Sequence, residues 1–83
     1  MEILDFYADW CGPCQMMKPT VEEFKELHPE IKVTAVNIDD EEELAEKYNV
    51  ATIPCLVVLK DGEEIKRAEG AQSLKKLEKL VEG

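Results

Sequence analysis

The stretch ADWCGPCQMM, residues 8–17, holds two cysteines three positions apart, with only Gly12 and Pro13 between them. It overlaps the end of a near-continuous apolar run, EILDFYA at residues 2–8, which is typical of a strand covered on both faces. Apolar residues then recur at helical spacing, so the stretch predicts a turn from a buried strand into a helix. Two thiols at such a turn can bind a metal ion, form a permanent structural disulfide, or form a redox-active pair whose disulfide opens and closes.

Length and composition indicate one globular domain. The chain has 83 residues, 45% of them hydrophobic, and no apolar run approaches the roughly 18 residues of a membrane span. No basic segment precedes the first apolar run, so we expect a cytoplasmic protein. Three cysteines are too few and too unevenly spaced for a secreted disulfide framework.

The charge is strongly acidic, with a net value of −9 and a single arginine, Arg67. Nucleic acids and anionic membranes both require a basic face, so this balance argues against either as a partner. Some of the acidic residues are concentrated in the segment DDEEELAE, residues 39–46. We interpret this segment as a helix start, with Asp40 as the N-cap and Glu43 completing a capping box, rather than as a cation site.

The remaining patterns predict an α/β fold with the element order βαβαββα. Further strands are expected at residues 31–39, 55–60 and 63–69, the last two joined by a hairpin turn at Asp61-Gly62. The first βαβ unit is expected to be parallel and right-handed.

Three helices complete the predicted order. The first runs from residue 12 to about 28 and ends at His28-Pro29; the second is short, and the third begins after a Ser73 cap. Each helix has an apolar face: Met17, Val21, Phe24 and Leu27 in the first, Leu44 and Tyr48 in the second, and Leu74, Leu77 and Val81 in the third.

The cysteine spacing suits a pair that opens and closes. In a first helical turn, residues three apart have Cβ atoms about 5–6 Å apart, and a disulfide needs about 3.5–4.5 Å, so a small adjustment closes the bond. Cys11 lies where free amides and the helix dipole favour a thiolate. Cys14, one turn further in, is expected to be less exposed. The spacing therefore supplies a nucleophile and a resolving thiol.

The two other roles for this pair are weaker. A staple that closes so short a loop adds little stability, because the benefit grows with loop length. A closed zinc site needs four ligands. The sequence offers at most Cys11, Cys14, Cys55 and His28, without a second close pair.

DFYADWCGPC, followed in order by MMKP, VNID, ATIPCLVVLKDGE and EGA, resembles thioredoxin over nearly the whole chain. The resemblance implies a minimal thioredoxin fold in a single domain over residues 1–83, with a four-stranded mixed sheet flanked by three helices. The family's usual N-terminal strand and helix are missing from the match. In size and element order the chain is similar to glutaredoxins and short archaeal thioredoxins.

The resemblance also implies roles for individual residues. Cys11 would be the attacking thiolate, Cys14 the resolving thiol, and Asp5 the buried carboxylate that handles the proton of Cys14. Ile53-Pro54 matches the family's cis-proline loop, whose backbone pairs with an extended substrate segment. The docking surface around Cys11 would also include Trp10, Gly12, Pro13, Ile53, Gly70 and Ala71.

Four positions depart from the family pattern. Gln15 stands where Lys or Arg is usual, and Ala35 stands where many members keep a Lys near the buried acid, so Asp5 is expected to be harder to ionise. Glu69 replaces an apolar residue of the docking rim and is expected to disfavour acidic partners. Cys55 follows the proline where Thr is usual, and strand alternation predicts a buried, inert thiol.

The dipeptide between the cysteines indicates the direction of electron flow. A strong oxidant needs a strongly stabilised thiolate, and Pro13 brings neither charge nor N–H, so we expect a reductant. The expected partners are disulfide-containing proteins and a thioredoxin reductase, with no organic cofactor and a monomeric chain. A glutathione-dependent glutaredoxin is the main alternative, although its usual CPYC motif and basic contacts are lacking. A non-catalytic scaffold is the other alternative.

Overall fold

The computed structural model describes residues 1–82 and confirms the predicted order of elements. A four-stranded mixed sheet is flanked by three helices, which is the predicted α/β class. The elements are β1 (Glu2–Tyr7), α1 (Gly12–Leu27), β2 (Lys32–Asn37), α2 (Glu42–Lys47), β3 (Cys55–Lys60), β4 (Glu63–Glu69) and α3 (Leu74–Leu80).

The strands lie in the order β2-β1-β3-β4, with β1 parallel to β2 and antiparallel to β3. The β3–β4 hairpin is antiparallel, as predicted, and turns at Asp61 and Gly62, whose φ angles are 52° and 83°. Positive φ at both central residues is what a two-residue hairpin turn of type I′ requires. The parallel pairing brings the carboxyl ends of β1 and β2 to the same edge of the sheet.

The core has two layers, one on each face of the sheet, because successive strand residues point to opposite faces. Helices α1 and α3 cover the first layer, formed by Ile3, Met17, Phe24, Leu56, Val58 and Leu77. Helix α2 and the segment after it cover the second layer, formed by Leu4, Phe6, Val36, Cys55, Val57 and Leu59. The continuous apolar runs of β1 and β3 follow from burial on both faces.

The start of α2 differs from the prediction. The N-cap is Glu41 rather than Asp40, and its side chain makes no capping hydrogen bond. Asn37 forms the preceding turn instead: its side-chain oxygen accepts from the amide of Asp39 at 2.9 Å, and its carbonyl accepts from the amides of Asp40 and Glu41. The capping box is therefore wrong, because Asn37 already accepts hydrogen bonds from the amides at this turn.

The inner face of α1 also differs at its last turn. Leu27, predicted to face inward, is 55% exposed, whereas His28 packs against Phe24 with ring centroids 4.8 Å apart. A spacing of four residues from Phe24 stays on the inner stripe better than a spacing of three. His28 ends the helix, as predicted, and its amide donates to the carbonyl of Phe24 at 2.9 Å. Ser73 caps α3, also as predicted.

Within residues 1–82, none of the helices combines the length and apolar character that crossing a bilayer requires.

Candidate active site

The two cysteines lie at the start of α1 and are joined by a disulfide, with Cα atoms 5.3 Å apart. Cys11 is the N-cap residue, and its Sγ accepts a hydrogen bond from the amide of Cys14 at 3.2 Å. Gly12 and Pro13 begin the helix, where a proline sacrifices no hydrogen bond because the first amides of a helix have no carbonyl partner. The strand-to-helix turn predicted from the sequence therefore presents a sulfur to the free amides of α1.

Burial of the two cysteines differs from the expectation. Cys14 was expected to be the less exposed of the two, but each is 5% exposed. Both belong to a small cluster with Ala8, against which Ile38 and Ile53 pack. The disulfide links the two side chains, and these neighbours cover both of them. Chemical asymmetry between the cysteines must therefore come from hydrogen bonding and charge.

The loop before β3 packs against the disulfide. The Ile53-Pro54 peptide bond is cis, and Ile53 contacts the cysteine cluster. Pro54 is buried, and its carbonyl accepts from the amide of Gly70 at 2.7 Å. Gly70 has a φ of 86°, a left-handed backbone conformation that favours glycine. The structure thus brings three of the expected docking residues together.

The other expected docking residues are exposed. Gly12 and Pro13 lie on the first turn of α1, and Ala71 follows Gly70 in the loop before α3. Trp10 is 68% exposed. Its indole Nε1–H donates to a carboxylate oxygen of Asp39 at 3.0 Å.

The contact of Trp10 with Asp39 was not predicted from the sequence. The signal lay in the topology: β1 and β2 are parallel neighbours, so residues just beyond their carboxyl ends meet at one edge of the sheet. Trp10 follows β1 and Asp39 follows β2. The hydrogen bond restrains an exposed aromatic side chain beside the disulfide.

Asp5 lies in the middle of β1, paired with Ala35 on one side and Leu56 on the other. Asp5 and Cys14 line a common cavity of about 350 Å³ between α1 and the β1–β2 strands. Burial raises the pKa of Asp5 from 3.8 to about 6, and the positive charge of Lys25 opposes part of that rise. The prediction that Asp5 is harder to ionise is confirmed, and its carboxyl is placed on the same cavity as the inner thiol.

The third cysteine is separate from the pair. Cys55 is free, is 0% exposed, and lies in the core layer that also contains Phe6 and Val57. Burial raises the pKa of its thiol, which disfavours the reactive thiolate in the folded state. The prediction of a buried thiol at this position is confirmed.

The residues considered for a zinc site do not converge in the described structure. Cys11 and Cys14 are bonded to each other, and Cys55 lies in a different cluster. His28 lies at the opposite end of α1, with its Nε2 2.8 Å from a carboxylate oxygen of Glu78. Among residues 1–82, no three His, Cys, Asp or Glu side chains are grouped so that they could hold a metal ion.

Comparison with known proteins gives a consistent family. A family model described as Thioredoxin matches residues 1–83. The thioredoxin of Bacillus subtilis is 41% identical over 80 residues, covering 95% of this chain and 77% of that protein. The thioredoxin of Chlamydia trachomatis is 39% identical over 79 residues, covering 95% of this chain and 78% of that protein.

Solved structures agree with the sequence comparison. The X-ray structure of Fasciola hepatica thioredoxin superposes with a TM-score of 0.91 at 40% identity, covering 96% of this chain and 76% of that chain. An oxidised mitochondrial thioredoxin 3 from Saccharomyces cerevisiae superposes with a TM-score of 0.90 at 34% identity. With a disulfide in the matching motif at the start of α1, this chain belongs to the thioredoxin family and is a thiol-disulfide oxidoreductase.

Proposed function

We propose that this chain reduces disulfides in protein substrates by two successive exchange steps. First, the Cys11 thiolate attacks one substrate sulfur; the substrate S–S bond breaks, leaving a mixed disulfide and one substrate thiolate. Second, Cys14 gives its proton to Asp5, and its thiolate attacks the Sγ of Cys11. The Cys11–substrate bond breaks, the Cys11–Cys14 disulfide forms, and the second substrate thiolate leaves. Each leaving thiolate takes up a proton from solvent at neutral pH, and Asp5 releases to solvent the proton that it accepted from Cys14. Two electrons pass to the substrate.

The observation that carries this proposal is the closed Cys11–Cys14 disulfide at the N-terminus of α1. As the N-cap, Cys11 accepts a hydrogen bond from a free amide of the first turn, which favours its thiolate over its thiol. Asp5 and Cys14 line the same cavity, which supports Asp5 as the proton acceptor of the inner thiol. These contacts support different roles for two cysteines that are equally buried.

The surface around the disulfide supports a protein substrate. Trp10 and Pro13 are exposed apolar groups, and the loop at Ile53-Pro54 lies beside the cysteine cluster, where an extended substrate segment can pair with its backbone. Glu69 is exposed at the end of β4, next to Gly70, which disfavours acidic partners. We propose that the chain acts as a monomer, a single domain over residues 1–83.

Two features support the direction of reduction. Gly12 and Pro13 carry no charge, and the first turn of α1 has no basic side chain at Gln15. The thiolate of Cys11 is therefore favoured by the helix terminus but not strongly over-stabilised, as it would be in an oxidant. We propose that a thioredoxin reductase recharges the pair and that the protein works in the cytoplasm, where thiols are kept reduced.

The proposal is tested by supplying the oxidised protein with either thioredoxin reductase and NADPH or glutathione, in the presence of a disulfide-bonded protein. We expect rapid turnover with the reductase and slow turnover with glutathione. Cys11→Ser should abolish turnover, Cys14→Ser should trap a mixed disulfide, and Cys55→Ala, the matched control, should turn over normally. Turnover driven by glutathione alone would establish the glutaredoxin-like alternative instead.

A further inference from the structure

The cavity beside Asp5 and Cys14 is lined on its β2 side by small or apolar residues only. Its β2 side is formed by Val33 and Ala35, and Ala35 is the strand partner of Asp5. Since alanine has only a methyl group, the space next to the carboxyl is left open and uncharged on that side. The opposite wall is one stripe of α1, whose members are spaced by three or four residues: Cys14, Lys18, Val21, Glu22 and Lys25.

Within residues 1–82, charged and titratable groups lie near Asp5 on three elements: its own strand β1, strand β3 and helix α1. On its own strand, Tyr7 lines the same cavity, and β2 contributes only apolar side chains. From β3, Leu56 is the strand partner of Asp5, and the thiol of Cys55 is close enough to interact with its charge. Every charged side chain that lines the cavity, apart from Asp5 itself, therefore comes from α1: Lys18, Glu22 and Lys25.

We propose that Lys25 is a positioning residue for the proton transfer between Cys14 and Asp5, and that its ammonium supplies from α1 the positive charge that Ala35 does not supply from β2. The inference rests on the proposed function, in which Asp5 accepts the proton of Cys14. Its consequence is that Asp5 remains mostly ionised near neutral pH and is ready to accept the proton when a mixed disulfide forms.

Lys18 and Lys25 both line the cavity, and Lys25 is distinguished by its ion pair and by its effect on Asp5. The Nζ of Lys25 lies 3.6 Å from a carboxylate oxygen of Glu22, and its side chain is 47% exposed. Lys25 therefore lines the cavity that holds Asp5 and is also in contact with solvent. Of the two lysines, Lys25 is the one whose charge opposes the effect of burial on the pKa of Asp5. Glu22 also lines the cavity and carries the same sign of charge as Asp5, so it offers a charge removal of the opposite sign for the test.

The direct test is a carbon-13 NMR titration of the Asp5 carboxyl in the oxidised protein, which needs no substrate or turnover. We expect Lys25→Gln to raise the midpoint by about 0.5 pH unit and Glu22→Gln to lower it, because one charge of each sign is removed near the carboxyl. Lys25→Arg should keep the original midpoint. In the double variant Lys25→Gln with Ala35→Lys, the Asp5 midpoint should return to its original value or fall below it. Lys32→Gln, on β2 but outside the cavity lining, is the matched control and should change nothing.

A second, kinetic experiment measures the rate at which Cys14 resolves a preformed mixed disulfide, as a profile against pH. Lys25→Gln should shift this profile upward by the same amount as the NMR midpoint, while the plateau rate at high pH is kept. An unchanged NMR midpoint in Lys25→Gln, or a shift seen only in Lys18→Gln, overturns the role of Lys25. A shifted midpoint with a profile that does not follow it shows instead that Lys25 acts on Asp5 but that Asp5 is not the proton acceptor, which overturns both the inference and that part of the proposed function.

Discussion

The amide of Cys14 donates a hydrogen bond to the Sγ of Cys11 at 3.2 Å, so the first turn of α1 directs a free N–H at only one of the two active-site sulfurs. The two side chains are equally buried, so this contact, together with the cavity that only Cys14 shares with Asp5, distinguishes them. A hydrogen bond to the charged form of a thiol lowers its pKa, as does a helix N-terminus.

In the reduced protein, Cys11 should therefore be alkylated first at neutral pH. We expect it to react at least about tenfold faster than Cys14, since each unit of pKa difference changes the thiolate fraction about tenfold. Cys55 should react only after unfolding, because it is inaccessible and protonated. Timed alkylation followed by peptide mass spectrometry measures all three rates, and equal rates in the folded protein would contradict the assignment of Cys11 as nucleophile.

The contact between Trp10 and Asp39 gives a second prediction. Asp39→Ala removes the acceptor for the exposed indole, so Trp10 should become more mobile and substrate docking should weaken. We expect KM for a disulfide-bonded protein to rise about 3–10-fold, equivalent to one ordinary hydrogen bond of about 1 kcal/mol. Turnover of a small disulfide, which does not need the docking surface, should change little.

Asp39→Asn is the matched control for this contact, because an amide oxygen can still accept the indole N–H. Its KM should stay near that of the original protein. An equal rise in both variants would show that the carboxylate contributes through its charge rather than by holding Trp10.

Local patterns predicted the parts of the fold in which neighbouring residues decide the structure. The strand-to-helix turn at Gly12-Pro13 and the hairpin at Asp61-Gly62 both follow from backbone preferences of the residues themselves. The start of α2 was mispredicted because the side chain and carbonyl of Asn37, a residue outside the expected helix, bind the amides of this turn. A capping pattern within the helix cannot reveal that a residue outside it already binds these amides.

The site features that were predicted from the sequence are those formed by residues close together in the chain. The Cys11–Cys14 pair follows from spacing alone, whereas the Trp10–Asp39 hydrogen bond joins residues 29 positions apart. The position of Lys25 opposite Asp5 likewise depends on how α1 packs over the β1–β2 strands. Such contacts are set by tertiary packing, which a single sequence does not contain.

Arg67 provides a test of how α2 is held in place. Its Nη2 donates to the carbonyl of Tyr48 at 2.6 Å, and its guanidinium also contacts Glu64 at 2.7–2.8 Å. Helix α2 has only six residues and lacks a side-chain cap, so it depends on contacts with the rest of the protein. We expect Arg67→Gln to lower the free energy of unfolding by about 2 kcal/mol in urea melts.

The matched variant for Arg67 is Glu64→Gln, which removes the ion pair and leaves the bond to Tyr48. Its cost should stay below about 1 kcal/mol, as is usual for ion pairs near the surface. Hydrogen exchange in residues 44–50 should accelerate in Arg67→Gln but not in Glu64→Gln. Equal losses in the two variants would indicate that the ion pair, and not the bond to α2, stabilises this region.

Asp5 gives the last prediction, because a carboxyl in an apolar strand should cost stability. Burial raises its folded-state pKa from 3.8 to about 6, so the folded protein binds the proton more tightly than the unfolded chain does. Stability therefore falls as pH rises through that window, and the full penalty persists above about pH 6. Asp5→Asn removes the charge at nearly constant volume. We expect a gain of up to about 3 kcal/mol in urea melts at pH 8.5, at about 1.36 kcal/mol per pKa unit.

The same variant should gain almost nothing over the original protein at pH 3.5, where Asp5 is mostly protonated in both the folded and the unfolded chain. It should also resolve mixed disulfides more slowly, because Cys14 must then lose its proton to water or hydroxide. Attack by Cys11 should be little affected, so the mixed disulfide should accumulate and be trapped by acid quenching. An Asp5→Asn protein that is less stable at pH 8.5 and resolves at the normal rate would show that Asp5 is a structural polar group and that another base deprotonates Cys14.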